Sequence, residues 1–68
     1  MISYKPLFHT LLEKDMYMTQ LCEDNIISGI TVAKFKKGES ITLTTAEKIC
    51  KYLNCEIQDI VRFEPDES

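Results

Sequence analysis

Residues 19–38, which read TQLCEDNIISGITVAKFKKG, constrain the fold more than any other stretch of the sequence. Asn25 tolerates a positive φ, so it can end a first helix at Asp24 and begin a three-residue turn. Ser28 follows that turn, and its hydroxyl can accept a hydrogen bond from a first-turn backbone N–H of a new helix. The pattern predicts a helix-turn-helix whose second helix begins at Gly29.

The second helix of this motif has two faces of different character. At about 100° per residue, Val32 and Phe35 share one side, which predicts where the helix packs. The opposite side carries lysines and small or apolar residues, namely Ile30, Ala33, Lys34 and Lys37, with Thr31 near its edge. Such side chains suit a helix that reads the DNA major groove, where thymine methyl groups offer apolar contacts. The alternative is an ordinary solvated face, which the lysines taken alone favour.

The order of these signals resembles the Cro/CI-type helix-turn-helix family of phage and bacterial repressors. The residues that match the family pattern are Met16, Leu21, Ile27, Ser28, Val32, Phe35, Lys37 and Gly38. Downstream, TLTTAEKICKYLNCEIQDIV is similar to the family's fourth and fifth helices. The ends, MISYKPLF and IVRFEPD, look like those of small regulators from Gram-positive bacteria. The resemblance covers nearly the whole chain and implies an all-α, five-helix, lambda-repressor-like DNA-binding domain over residues 1–68.

The resemblance also implies a function and a set of site residues. The chain would be a transcriptional regulator, a repressor, that binds double-stranded DNA sequence-specifically as a homodimer on a palindromic operator. Carried over by position, the residues near bases would be Gly29, Ile30, Thr31, Ala33 and Lys34. Those on phosphates would be Lys36, Lys37, Thr19 and Gln20, and Met18 and Ser28 complete the expected DNA-binding set. No cofactor, small-molecule ligand or membrane partner is implied.

Three departures from the family pattern keep a second function open. Tyr17 stands where the family usually has a Ser or Thr cap, which should weaken that helix end by about 1 kcal/mol and leave Gln20 as half a capping box. Met18 stands where a polar residue often supports or makes base contacts, and Ile26 replaces a common turn glycine. Tyr17, Met18 and a net charge of −3 favour the alternative, a protein-interaction or antitoxin-like module whose helix-turn-helix is only structural.

The distribution of charge softens the objection that an acidic chain should avoid DNA. From Lys34 to Lys51 there are five lysines against two glutamates, whereas from Glu56 to Ser68 there are five acids against one arginine. The basic part overlaps the exposed side of the second helix. An acidic tail could restrain non-specific binding to the polyanion.

The cysteines and the single histidine do not indicate an enzyme or a zinc site. Cys22, Cys50 and Cys55 are odd in number and follow no signal-peptide-like segment, which predicts reduced, buried thiols in a cytoplasmic protein. Structural zinc wants four ligands, and only His9 could join the thiols. His9 has no partnered nucleophile or carboxylate at a recognisable spacing, so we expect no catalytic site.

The remaining helices are predicted from caps and apolar spacing. Helices should begin near Pro6, Met18, Gly29, Leu43 and Ile57, and the first should end at Lys14. The pairs Leu7–Leu11 and Phe8–Leu12 predict one broad apolar stripe with His9 and Thr10 facing outward. Thr42 should cap the fourth helix, Asn54 should end it, and its core stripe should be Ala46, Ile49, Cys50 and Leu53. Ile57, Ile60 and Val61 should then cover the core.

The two chain ends carry short strand signals. Ile2 and Tyr4 alternate with polar residues, as do Val61 and Phe63, and no other strand signal exists for either segment to pair with. We therefore expect the ends to form a two-stranded ribbon. A lone ribbon exposes apolar residues, so a second copy of the chain is the expected cover. The competing view is that Phe63 folds back on its own core and that dimers form only on DNA.

Overall fold

The computed structural model describes residues 1–65, which form four α-helices, one 3₁₀ turn and a two-stranded ribbon. The elements are β1 (Ile2–Ser3), α1 (Lys5–Glu13), α2 (Met18–Glu23), α3 (Gly29–Lys37), α4 (Leu43–Leu53), the 3₁₀ turn (Ile57–Asp59) and β2 (Arg62–Phe63). The predicted all-α class with a terminal ribbon is confirmed. The fifth helical element, predicted as one or two turns from Ile57, is a single 3₁₀ turn rather than an α-helix.

All four helices end with the same backbone motif. A residue with positive φ follows each helix, and these residues are Asp15 (57°), Asn25 (59°), Gly38 (72°) and Asn54 (54°). The next N–H then donates to the carbonyl five residues earlier, in the pairs Met16–Leu11 (2.9 Å), Ile26–Leu21 (2.9 Å), Glu39–Lys34 (2.9 Å) and Cys55–Cys50 (3.0 Å). This bond satisfies an otherwise unpaired carbonyl and turns the chain sharply. The sequence indicated three of these ends and missed Asp15.

One apolar core joins the helices to the ribbon. Its buried members are Tyr4, Leu7, Leu11, Leu21, Ile27, Phe35, Ala46, Ile49, Leu53 and Ile60. Helix α4 begins as predicted, because the Thr42 hydroxyl accepts the Thr45 N–H at 3.2 Å. Its stripe is also as predicted except that Cys50 is only half-buried, as are Cys22 and Cys55.

Helix α1 packs on a narrower face than predicted. Leu7 and Leu11 are buried, but Phe8 is 43% and Leu12 is 77% exposed, so the broad stripe was wrong. Thr10, predicted to face outward, is half-buried and donates from its hydroxyl to the Asp59 carbonyl at 2.6 Å. Helix α1 rests on the 3₁₀ turn, and the Thr10–Asp59 hydrogen bond is one of the contacts between them.

The chain ends pair with each other, as predicted. The strands are antiparallel with Ile2 opposite Phe63 and Ser3 opposite Arg62. Phe63 is 84% exposed, so the competing view that it folds back on the core is wrong. Ile57, predicted to cover the core, is also exposed, whereas Ile60 is fully buried.

Two further features complete the fold. No helix within residues 1–65 is long and apolar enough to cross a membrane. The last three residues of the predicted acidic tail, 66–68, lie outside the described part of the chain.

Candidate nucleic-acid interface

Helix α2 begins without a side-chain cap, as the presence of Tyr17 predicted. The Tyr17 hydroxyl makes no capping bond, but the Gln20 side-chain oxygen accepts the Tyr17 backbone N–H at 2.6 Å. Gln20 therefore holds the helix start with its oxygen and keeps its amide N–H groups for another partner. Of its neighbours in the expected DNA-binding set, Thr19 is exposed and Met18 is half-buried against the core.

The turn between α2 and α3 has the predicted backbone but not the predicted cap. Asn25 is left-handed and Ile27 is buried, which fixes how the chain enters α3. Ser28 has the extended N-cap conformation, yet its hydroxyl accepts no N–H of the helix. It lies 3.5 Å from the Thr31 hydroxyl instead, so the predicted side-chain cap was wrong. The two hydroxyls stand together at the exposed start of α3.

The far end of α3 is fixed by the ribbon. The rings of Tyr4 and Phe35 are 4.7 Å apart at 59°, and the Tyr4 hydroxyl donates to the Glu39 carbonyl at 2.6 Å. Burial raises the pKa of Tyr4, which keeps this hydroxyl a donor. A Cβ on Gly38 would lie 3.1 Å from the Ile2 carbonyl oxygen, so backbone packs closely there. Phe35 is thus the buried anchor of α3.

The opposite face of α3 is open. Ile30 is 74% exposed, and Ala33, Lys36 and Lys37 are exposed with it. Thr31 is half-buried, in keeping with its predicted place at the edge of the face, and Lys34 is half-buried although it was expected on the exposed side. The Ile30 side chain therefore takes little part in the core and is open to contact with a partner.

The lysines of α3 carry unneutralised charge. Lys34, Lys36 and Lys37 form no ion pair with any side chain in residues 1–65. Three of the five other cations do: Lys5 with Glu64 (3.9 Å), Lys51 with Glu47 (3.8 Å) and Arg62 with Glu64 (3.4 Å). Lysines in the last turn of a helix also favour its dipole, by a few tenths of a kcal/mol. The helix dipole alone does not explain why all three lysines lack an ion pair within residues 1–65.

Gly29 is a glycine that the fold does not require. A Cβ added to Gly29 would meet nothing within 4 Å, and its φ is not positive. At the exposed start of α3, a residue without a side chain lets another molecule approach the backbone closely. The resemblance places Gly29 near a base, and the open space around it allows another molecule to approach its backbone.

One positioning contact could not be seen in the sequence. The Tyr52 hydroxyl of α4 donates to the Asp24 carboxylate at the end of α2, which ties the two helices together. This hydrogen bond raises the pKa of Tyr52, with smaller contributions from burial and the nearby acidic charges. The two residues are far apart in sequence, and neither stands at a position with a local signal for pairing.

The chain is similar to known proteins over most of its length. A model of the Cro/C1-type HTH DNA-binding domain matches residues 7–66. The chain is 34% identical over 59 residues to the uncharacterized HTH-type transcriptional regulator YozG of Bacillus subtilis (strain 168). The matching segment covers 84% of this chain and 70% of that relative. The crystal structure of transcriptional regulator VanUg, Form II, is similar with a TM-score of 0.88 and 38% identity over 96% of this chain and 87% of that one.

Proposed function

The chain belongs to the Cro/C1-type helix-turn-helix DNA-binding domain family, and on that premise we propose that it is a repressor that reads the major groove with α3. Residues 1–68 would act as one domain, in the cytoplasm, as a homodimer on a palindromic operator. That the chain is a DNA-binding transcriptional regulator follows from its family and its relatives. We propose, beyond that, that α3 reads the major groove, that the chain represses transcription and that it acts as a homodimer.

The observation that carries the proposal is the exposed face of α3. It combines a protruding isoleucine, lysines that have no acidic partner within residues 1–65, and a glycine that packing does not explain. These three properties suit a surface that contacts DNA. Apolar groups contact thymine methyls, and free cations neutralise phosphates. A missing side chain allows the DNA to approach the backbone closely. The residues assigned near bases are Gly29, Ile30, Thr31, Ala33 and Lys34, and those assigned near phosphates are Lys36, Lys37, Thr19 and Gln20. Met18 and Ser28 complete the proposed DNA-binding set.

A groove beside the ribbon supports the proposed homodimer. It has a volume of about 250 Å³ and lies between the ribbon, the loop before α4 and the 3₁₀ turn. Phe63 and Leu43 on its rim are 84% and 83% exposed, and Ile41, Ala46 and Ile57 line it. A two-fold dimer puts the same patch on both subunits, so Phe63 of each copy would enter the groove of the other. Two α3 helices could then meet successive turns of DNA, about 34 Å apart.

Selection from a random duplex pool tests the DNA reading. We expect enrichment of a palindrome with half-sites about one turn apart. Lys37→Ala should weaken binding to all sequences alike and lower the salt slope by about one unit, as for one lost phosphate contact. Lys48→Ala on α4 is the matched control, because Lys48 is exposed but lies on another helix. Salt-independent binding, or no enrichment, would favour the protein-interaction module instead.

Light scattering at micromolar concentration tests the dimer separately. We expect the parent chain to have a dimer mass and Phe63→Glu to have half of it, since a charge cannot enter the apolar groove. Leu12→Glu on α1 is the control, because Leu12 is 77% exposed but does not line the groove. A monomer mass for the parent would refute the stable dimer without affecting DNA reading.

A further inference from the structure

Helix α4 ends with two cysteines side by side. The Cys55 N–H donates to the Cys50 carbonyl at 3.0 Å around the left-handed Asn54. In this type of helix ending, the side chains of the two bonded residues come into contact. At the ends of α1 and α2 the equivalent pairs are ordinary apolar residues, Leu11–Met16 and Leu21–Ile26. At the end of α4 the same backbone motif brings two thiols together.

The two thiols contact each other at an accessible surface. Burial raises the pKa of both thiols, and each thiol also raises or lowers the pKa of the other, so the Cys50 and Cys55 sulfurs are close neighbours. Both residues are half-buried, and both line an open groove of about 390 Å³. Glu56 and Asp59 also line the groove, and their charges reach the thiols. A small cation can therefore enter the groove, and the local potential favours it.

We propose that Cys50 and Cys55 form a two-thiolate site for the soft monovalent cation Cu(I). Thiolate sulfur is a ligand type that selects Cu(I), and this d¹⁰ ion accepts two sulfur ligands in a linear arrangement. On binding, each thiol loses one proton and each sulfur forms one bond to copper. Two protons are released and no electron is transferred, so no oxidant or reductant takes part.

Zinc does not fit the same residues. A structural zinc ion takes four ligands, and a pair of thiols supplies only two. Within residues 1–65 no group of three or more His, Cys, Asp or Glu side chains is close enough to hold a metal ion. The single histidine, His9, is on α1, and its Nε2 lies 2.9 Å from a Glu13 carboxylate oxygen.

A disulfide switch is the other chemistry that two adjacent thiols permit. Both reactions start from the thiolate, so a raised pKa of the two thiols does not decide between them. The groove that both cysteines line carries three carboxylates, Glu47, Glu56 and Asp59, against one lysine, Lys51. This negative charge attracts a cation and repels an anionic disulfide such as oxidised glutathione. The charge around the pair therefore favours a cation over disulfide exchange.

Competition with the chromophoric chelator bicinchoninate, using reduced full-length chain without oxygen, tests the proposal. We expect the parent chain to take one equivalent of Cu(I) from the chelator. Cys50→Ala and Cys55→Ala should each lower the affinity at least about 100-fold, since loss of even an outer-shell partner costs about 10- to 100-fold. Cys22→Ala is the matched control, because Cys22 is half-buried on α2 and has no thiol neighbour among the described residues.

A second measurement does not depend on how the variants fold. X-ray absorption at the copper edge of the loaded parent chain should show two sulfur neighbours. The proposal is overturned if the parent chain takes no copper from the chelator, or if Cys22→Ala loses as much affinity as the other two variants. Nitrogen or oxygen neighbours in place of the two sulfurs would overturn it as well.

Discussion

Helices α3 and α4 both begin after a hydroxyl residue, but only one of these hydroxyls serves its own helix. Thr42 accepts the Thr45 N–H at 3.2 Å and closes the first turn of α4. Ser28 makes no such bond and lies beside the Thr31 hydroxyl. Helix α4 also buries a stripe of three side chains, whereas α3 buries Phe35 alone.

This difference shows two ways of holding a helix in a small protein. Helix α4 is stabilised along its whole length by its cap and its buried stripe. Helix α3 is held by buried Ile27 in the turn before it, by Phe35 and half-buried Val32 on one side, and by the ribbon that packs against Gly38. The second arrangement leaves most of the helix surface open. A helix that reads DNA needs that arrangement, because a side chain packed in the core cannot reach a base.

The same substitution in the two helices should give the largest contrast. Ile49 is fully buried in α4, and Ile49→Ala should lower the free energy of unfolding by about 2–5 kcal/mol. Ile30→Ala in α3 should change it by less than about 0.5 kcal/mol, as for a surface site. Ile30→Ala should instead alter sequence preference at one base pair by about 1–3 kcal/mol. Urea denaturation and duplex titration measure the two effects, and a large stability loss at Ile30 would break the comparison.

The glycines at the two ends of α3, Gly29 and Gly38, should give the next largest difference in stability. Gly38 has a φ of 72° and a close backbone neighbour, so Gly38→Ala should cost about 1–2 kcal/mol of stability. Gly29→Ala should leave stability within about 0.5 kcal/mol of the parent, because its Cβ would enter open space. The Gly29 variant should nevertheless lose DNA affinity. Unchanged DNA binding by Gly29→Ala would remove Gly29 from the proposed interface.

The two hydroxyl residues test the comparison directly. Thr42→Ala should lower the free energy of unfolding by about 1 kcal/mol, the usual cost of losing a cap. Ser28→Ala should cost clearly less, since no cap bond is lost. Thermal denaturation of both variants in the same buffer measures the difference. An equal loss at both positions would mean that Ser28 caps α3 in solution.

The smallest effect concerns the contact between α4 and the helix-turn-helix. Tyr52→Phe removes the hydrogen bond to Asp24 and should lower the melting temperature slightly at neutral pH. Because folding raises the pKa of Tyr52 above its ordinary value of 10, this stabilisation is complete below pH 10 and is lost as the pH rises through the folded-state pKa. The difference in melting temperature between parent and variant should therefore disappear at alkaline pH. A difference that persists there would show that the hydroxyl acts in another way.

Local signals predicted the backbone well because they act over a few residues. Asn25, Gly38 and Asn54 end their helices as expected, and the Thr42 cap needs only the N–H three residues later. Asp15 was missed because aspartate adopts a positive φ less readily than glycine, so its presence is a weak signal. Ser28 was misjudged, and its neighbour Thr31 does not explain why, because Thr42 also lies beside a hydroxyl, that of Thr45, and still caps its helix.

The candidate site also has some features that the sequence predicted and others that it did not. Its helix, its start at Gly29 and its exposed isoleucine follow from spacing in the sequence. The half-buried position of Lys34 and the missing ion pairs of all three lysines depend on what surrounds α3. The pairing of Cys50 with Cys55 is an intermediate case. The spacing of the two cysteines is visible in the sequence, but they become neighbours only because left-handed Asn54 turns the chain.

The sequence by itself determined where each of the four helices begins and ends, to within a residue or two, because backbone caps and turns involve near neighbours. The tertiary structure decided which apolar side chains are buried. Phe8 and Leu12 have the same spacing as Leu7 and Leu11, yet only the latter pair is buried in the core. Burial depends on partners far away in the chain, and hydrophobic attraction has no direction that a local pattern could encode.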